Sequence, residues 1–214
     1  LIKGDLRDKL LLENVFIDYL KSEKPIKSVI HFAGLKSVLN SIKSPIEYWD
    51  SNVSSTISLL SVMQKYRCFS FIFSSSACVY KPKGINLLNE TDEVKPSSPY
   101  GKTKLFIEEL LFDLFACDKN WRIASLRYFN PIGSHNLGLL PERSKDKSSN
   151  LFPAIVKTIK GEQEKLLIFG KDWPTYDGTC IRDFIHVMDL AEAHISALNF
   201  LKANKTQNIS INIG

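Results

Sequence analysis

No glycine fingerprint of the G-x-G-x-x-G kind occurs in these 214 residues, and no C-x-x-C pair joins any two of the 4 cysteines. The first absence removes the turn by which a backbone closely approaches a pyrophosphate. The second excludes zinc-ribbon and dithiol chemistry. Cys68, Cys78, Cys117 and Cys180 suggest no disulfide framework either, so reduced thiols in a cytoplasmic protein are expected. The 4 histidines lack metal-ligand spacing, and no nucleophile elbow surrounds Cys78, so all five are read as structural. Apolar runs stay well short of the ~18 residues of a membrane span, and no signal peptide is visible. The net charge of +5 comes from lysines scattered along the chain, with no basic stripe of the kind that grips nucleic acid. Neither a repeat nor a low-complexity stretch is present. Leu1 is not a methionine and Gly214 follows a strand-like run directly, so both ends read as cuts.

What is present alternates. Residues 1–6 look like the tail of a strand. Leu10, Leu11, Val15, Phe16, Tyr19 and Leu20 fit an amphipathic helix that Pro25 breaks. A buried strand is expected over 29–33, with Gly34 allowing a tight turn. Pro45 opens a long helix with Trp49, Val53, Ile57, Leu60 and Met63 facing inward. The apolar run 69–73 ends in Ser74, Ser75 and Ser76, a loop spans 81–97, a helix begins at Pro99, and 123–129 forms another strand. Strand and helix in alternation argue an α/β fold with a parallel, helix-covered sheet. Beyond Pro131 the rhythm changes: a polar stretch over 144–150, a helix over 151–160, a short strand over 165–169 and a turn-rich loop over 172–178. A helix over 189–201 and a strand over 209–213 close the chain. The later elements are expected to fold over the carboxyl edge of the sheet as a partial substrate lid, dividing the chain at about residue 130.

The most informative stretch is Ser98-Pro99-Tyr100-Gly101-Lys102-Thr103-Lys104. Serine is a good N-cap, and proline suits the first helical position, where an N–H has no partner to lose. Leu105, Ile107, Leu110, Leu111, Leu114 and Phe115 then outline one buried stripe. Tyr100 and Lys104 therefore lie one turn apart on one face. A fixed cation beside a phenol favours the phenolate, lowering its pKa by ~1–3 units and making a base for a sugar hydroxyl. With 7 tyrosines and abundant lysine, roughly one Tyr-x-x-x-Lys match is expected by chance. Context raises it: a serine ending one parallel strand can meet the start of the next helix at the carboxyl edge, where open α/β sheets bind ligands.

Five segments in this order, His31 to Lys36, Ser74 to Ala77, Ser98 to Lys104, Leu126 to Pro131 and Arg182 to Leu190, together resemble the UDP-glucose 4-epimerases, members of the extended short-chain dehydrogenase/reductases. The resemblance implies a Rossmann-like doubly wound sheet whose first strands are missing. A truncated NAD-binding domain would occupy 1–130, and 131–214 would be a mixed segment with part of the substrate-binding region and returning Rossmann elements. It implies NAD-dependent inversion at carbon 4 of a UDP-sugar. Tyr100 would take the 4-hydroxyl proton as hydride passes to NAD, and the 4-keto sugar would rotate and receive it on the other face. Lys104 would hold the nicotinamide ribose and Ser76 would bond the reacting oxygen. The implied cofactor contacts are Asp5 and Leu6 near adenine, Phe32, Ala33, Gly34 and Lys36 by the phosphates and ribose, and Tyr100, Lys104 and Phe129 around nicotinamide. Substrate would meet Ser76, Tyr100, Asn130, Asn150, Arg182 and a strand containing Leu167, Ile168 and Phe169.

Read without the resemblance, Phe32 and Phe129 could be core aromatics, Arg182 and Asp183 a surface ion pair, and the three serines a polar strand end. Ser51 stands where the family usually has asparagine near the cofactor. Related dehydratases and decarboxylases usually carry an acidic residue right after the position of Ser76; here Ala77 and Cys78 follow, so the resemblance implies epimerisation over dehydration. A homodimer is expected of a full-length parent, and the isolated piece is expected to fold poorly. The alternatives left open are a non-catalytic nucleotide-binding module and a related nucleotide-sugar epimerase or dehydratase.

Overall fold

Asp8 caps α1 (Lys9–Lys21) by accepting from the Leu11 amide at 3.0 Å. After β1 (Ser28–His31), Ser37 caps α2 (Val38–Lys43), a helix not expected from the periodicity. Pro45 does open a long rod, built from α3 (Pro45–Tyr48), a π-helical stretch (Trp49–Ser54) and α4 (Ser55–Lys65). The chain continues through β2 (Ser70–Ser76), a 3₁₀ turn (Ala77–Val79), α5 (Pro99–Cys117), β3 (Arg122–Tyr128) and β4 (Asn130–Ile132). It ends with α6 (Leu151–Ile159), β5 (Phe184–His186), α7 (Val187–Ala203) and β6 (Gln207–Ile213). The computed structural model describes residues 1–82, 87–138, 140, 150–203 and 206–214.

Four strands form one parallel sheet in the order β1-β2-β3-β6, and β4 and β5 pair separately, also parallel. β2 is buried at every position, as a central strand covered on both faces must be. On one face Phe71, Phe73 and Ile123 pack with Leu12, Phe16, Met63, Ile107 and Leu111 from α1, α4 and α5. On the other, Ile72, Ala124 and Leu126 meet Ala197 and Leu201 of α7. Helices on both faces make the sheet doubly wound, as expected. Fully burying side chains of this size stabilises the fold by about 1.5–3 kcal/mol each. Among the described residues no helix is long and apolar enough to cross a membrane, and no side-chain cluster could hold a metal ion.

The structure corrects several expectations. Residues 1–6 form no strand, having none alongside to pair with among the described residues. The run 165–169 is likewise not a strand: Leu167, Ile168 and Phe169 are exposed and join no ladder. An apolar run becomes a strand only where backbone partners exist. In α1 the inward residues are Leu12 and Phe16, while Leu10, Tyr19 and Leu20 are exposed. The π-helical stretch shifts the inward face of the long rod: Val53, Leu60 and Met63 are buried as expected, Tyr48, Asn52 and Thr56 join them, and Trp49 and Ile57 are exposed. A π turn inserts one residue into the helical repeat, which locally changes the positions that face inward. Parts of the expected loop over 81–97 and of the polar stretch over 144–150, namely 83–86 and 144–149, lie outside the described residues.

Candidate active site

The carboxyl ends of the parallel strands lie on one edge, with Ser76 paired to Tyr128 and Tyr128 to Ile213 across β2, β3 and β6. α5 begins at this edge, where Ser98 Oγ accepts from the Gly101 amide at 3.1 Å and Pro99 fills the first turn. Gly101 allows the approach: a Cβ there would lie 2.4 Å from the carbonyl oxygen of Cys78, in the turn that follows Ser76. Tyr100 and Ser76 are thus brought together, with the serine hydroxyl acting on the phenol. Only 6% of each is exposed, and 5% of Lys104.

Lys104 does not point its charge at the phenol oxygen. Its Nζ donates to the Ser74 carbonyl at 2.8 Å, beneath the rings of Phe73 and Tyr100 at 4.8 and 5.9 Å. Burial consequently governs both groups. It raises the Tyr100 pKa well above the ordinary phenol value, the nearby Tyr128 phenol adds to that rise, and the Ser76 hydroxyl only partly offsets it. The expectation that Lys104 depresses the Tyr100 pKa is therefore corrected for the protein without ligands. The Lys104 ammonium is itself lowered from 10.5 to about 8 by burial, with Glu108 opposing.

A stability prediction follows from Lys104. Below pH ~8 the ammonium is charged in both folded and unfolded states, and the folded state bears the full desolvation cost. Between about 8 and 10.5 the folded amine loses its proton first, and the cost fades. Lys104→Met should therefore stabilise the fold by about 1–2 kcal/mol at neutral pH, a gain that vanishes near pH 10.5. Urea midpoints at neutral and alkaline pH measure it; an equal or lower midpoint for the variant at neutral pH would contradict this.

Phe32, Ala33, Gly34 and Lys36 are all exposed where β1 ends on the same edge. Their loop is held by Asn52, which the sequence reasoning passed over in favour of Ser51. Asn52 Oδ1 accepts from the Leu35 amide at 2.7 Å, and Nδ2 donates to the Leu35 carbonyl at 3.0 Å and to Thr103 Oγ1 at 3.2 Å. Gly34 has a φ of +149° and leaves only 3.0 Å between a built Cβ and Asn52 Oδ1. One signal was available: a polar residue inside an apolar helix, readable as inward only once the π turn is known.

Around this group, the Phe129 amide bonds the Ile213 carbonyl at 3.2 Å. Asn130 Nδ2 donates to the Asp183 carbonyl at 2.7 Å, tying β4 to the segment entering β5. Asp5 pairs with Arg7, which also reaches Asp50 of the π-helical stretch and holds the Asp5 carboxyl near a pKa of about 2. Leu6 packs on the α1, α4 and α5 core. Asn150 and Arg182 are exposed, Arg182 donating to the Ile181 carbonyl at 2.9 Å. Two buried networks below the edge were not anticipated. In one, Ser75 and Arg127 converge on Glu108; in the other, Ser74 bonds His194 at 3.0 Å.

Comparison with known proteins agrees with this geometry. The chain is 47% identical over 189 residues to the UDP-glucose 4-epimerase of Dictyostelium discoideum, covering 88% of this chain and 55% of that protein. It is 49% identical over 210 residues to the bifunctional protein gal10 of Schizosaccharomyces pombe, covering 96% of this chain and 28% of that one. A UDP-glucose 4-epimerase structure from Stenotrophomonas maltophila, with bound NAD and formylated UDP-arabinopyranose, superposes with a TM-score of 0.92 at 41% identity. One from Bifidobacterium longum, in complex with NAD⁺ and UDP, gives 0.89 at 43%. Each covers 100% of this chain and 62% of its own, so the sequence spans between about a quarter and three-fifths of these relatives. The NAD dependent epimerase/dehydratase model matches residues 1–214, and the chain belongs to that family.

Proposed function

We propose that this chain carries the catalytic centre of a cytoplasmic UDP-glucose 4-epimerase that interconverts UDP-glucose and UDP-galactose as part of a homodimer. The observation that carries the proposal is the meeting of Ser76, Tyr100 and Lys104, nearly buried, at the carboxyl edge of a parallel sheet. The relatives named as this epimerase, and the structures holding NAD with UDP or a UDP-sugar, support it.

The residues present fit a dinucleotide. Lys104 donates only to the Ser74 carbonyl among the described residues, leaving ammonium protons for ribose hydroxyls. The exposed loop at Phe32 to Lys36, steadied by Asn52, presents backbone and a glycine to a phosphate. When bound, NAD would accept a hydride from carbon 4 and return it. Tyr100 would take the proton of the 4-hydroxyl and give one back at the same oxygen. Ser76 would hold that oxygen, and its hydroxyl beside Tyr100 lowers the cost of the phenolate. Lys104 would fix the ribose and place positive charge below the Tyr100 ring.

The cofactor-side roles go to Asp5, Leu6, Phe32, Ala33, Gly34, Lys36 and Phe129, all within 1–130. Asn130, Asn150, Arg182 and the exposed Leu167, Ile168 and Phe169 are assigned to UDP. Arginine suits the diphosphate because its planar fork grips two oxygens. The test is conversion of UDP-galactose to UDP-glucose by the complete gene product, followed by chromatography. Net conversion with bound NAD retained is expected; bound NAD with no conversion would instead identify a binding module.

A further inference from the structure

His194 lies on α7, 2% exposed, on the sheet face opposite α5. Its Nδ1 is 2.8 Å from the Leu190 carbonyl. A carbonyl can only accept, so Nδ1 carries the proton and Nε2 is left as an acceptor. The partner at Nε2 is Ser74 Oγ at 3.0 Å, which must therefore donate. The Tyr128 ring stands beside the imidazole, with ring centroids 6.2 Å apart. On another side of the imidazole, Phe32 packs with ring centroids 4.5 Å apart. One side chain thus ties together the loop after β1, the end of β2, the end of β3, and α7.

Ser74 is the residue whose carbonyl holds Lys104. β1 stops at His31 opposite Phe73, one position short of Ser74, so that stretch of β2 extends past its neighbour on that side. The Ser74 hydroxyl bond to His194 supplies an anchor there. We propose that His194 is a positioning residue: by accepting from Ser74 it holds the Ser74 backbone, and through that carbonyl it sets where the Lys104 ammonium sits. The proposal rests on the epimerase reading for its catalytic consequence, but not for its geometry.

Three variants of the complete gene product separate the two hydrogen bonds. His194→Asn reaches only as far as Nδ1, keeping a donor for Leu190 and losing the acceptor for Ser74. His194→Gln places an amide oxygen where Nε2 was and keeps Ser74 engaged. His194→Leu loses both. Two readouts are taken at equal folded fraction: acetylation of Lys104 by acetic anhydride, measured by mass spectrometry against exposed Lys102 on the same helix, and steady-state kinetics with UDP-galactose.

The Asn and Leu variants should raise relative Lys104 acetylation about fivefold, by local release of the amine. They should lower kcat about tenfold with KM little changed, a loss confined to the reacting step. The Gln variant should match the parent in both. Should Leu fail to fold, the Asn and Gln pair decides alone. Equal Lys104 labelling in Asn, Gln and parent would overturn the proposal, as would Asn and Gln falling together. An absence of epimerisation in the parent would count against the epimerase reading, while the labelling contrast would still decide the role of His194.

Discussion

Tyr100→Phe is expected to lower kcat for UDP-galactose conversion by about 10²–10⁴-fold while leaving KM within a small factor, since proton transfer by a positioned side chain contributes on that order. The substitution removes one oxygen and keeps the ring. Tyr100 is almost completely buried beside Ser76, and Lys104 bonds the Ser74 carbonyl rather than the phenol, so neither packing nor the amine should shift. Among the described residues the interaction lost is with Ser76, whose hydroxyl also caps the next turn by accepting from the Cys78 amide at 3.2 Å. Thermal stability should therefore be nearly unchanged, which separates a chemical loss from a structural one. Turnover within about threefold of the parent would remove Tyr100 from the proton path.

The largest effect on stability is expected at Glu108. Its carboxylate receives Arg127 through Nε at 3.1 Å and Nη2 at 2.6 Å, and Ser75 Oγ at 2.5 Å, all buried between α5 and the sheet. Arg127 also donates to Tyr80 Oη at 2.9 Å, and Tyr80 Oη to Asn212 Oδ1 at 2.6 Å. Glu108→Ala leaves the guanidinium buried with no carboxylate, and removing one partner of such a pair costs about 3–5 kcal/mol. A urea titration should show a midpoint shift of that size. The double variant Glu108→Leu with Arg127→Met should recover much of the loss, because the uncompensated charge goes with it. If Glu108→Ala costs less than ~1 kcal/mol, or if the double variant is the least stable, the pair is not what fastens α5 to β3.

The parts of the fold that were legible share one property: their signal is local and repeated. Alternating strand and helix marks a parallel sheet, and Ser98 with Pro99 marks the start of α5. The misses have specific physical causes. On the long rod Val53, Leu60 and Met63 face inward as read, but Trp49 and Ile57 do not, because the π turn at Trp49–Ser54 breaks the assumed 3.6-residue repeat, and Asn52 was lost with it. Leu167, Ile168 and Phe169 have the composition of a strand and no ladder to join, since pairing depends on residues distant in sequence. The Tyr100 pKa was misjudged because helical spacing gives proximity but not direction: Lys104 is one turn away and bonded to Ser74. His194 and Glu108 were invisible for a related reason. Their partners, Ser74 and Arg127, lie 120 and 19 residues away and meet them only across the folded sheet.

The most direct test of the proposed chemistry is to supply UDP-galactose carrying deuterium at carbon 4 and to locate the label in the UDP-glucose formed. If hydrogen leaves carbon 4 as hydride and returns from within the closed site, with Tyr100 handling only the oxygen-bound proton, the deuterium stays at carbon 4. Loss of deuterium to solvent would show that carbon 4 is deprotonated instead, and would contradict the role given to Tyr100.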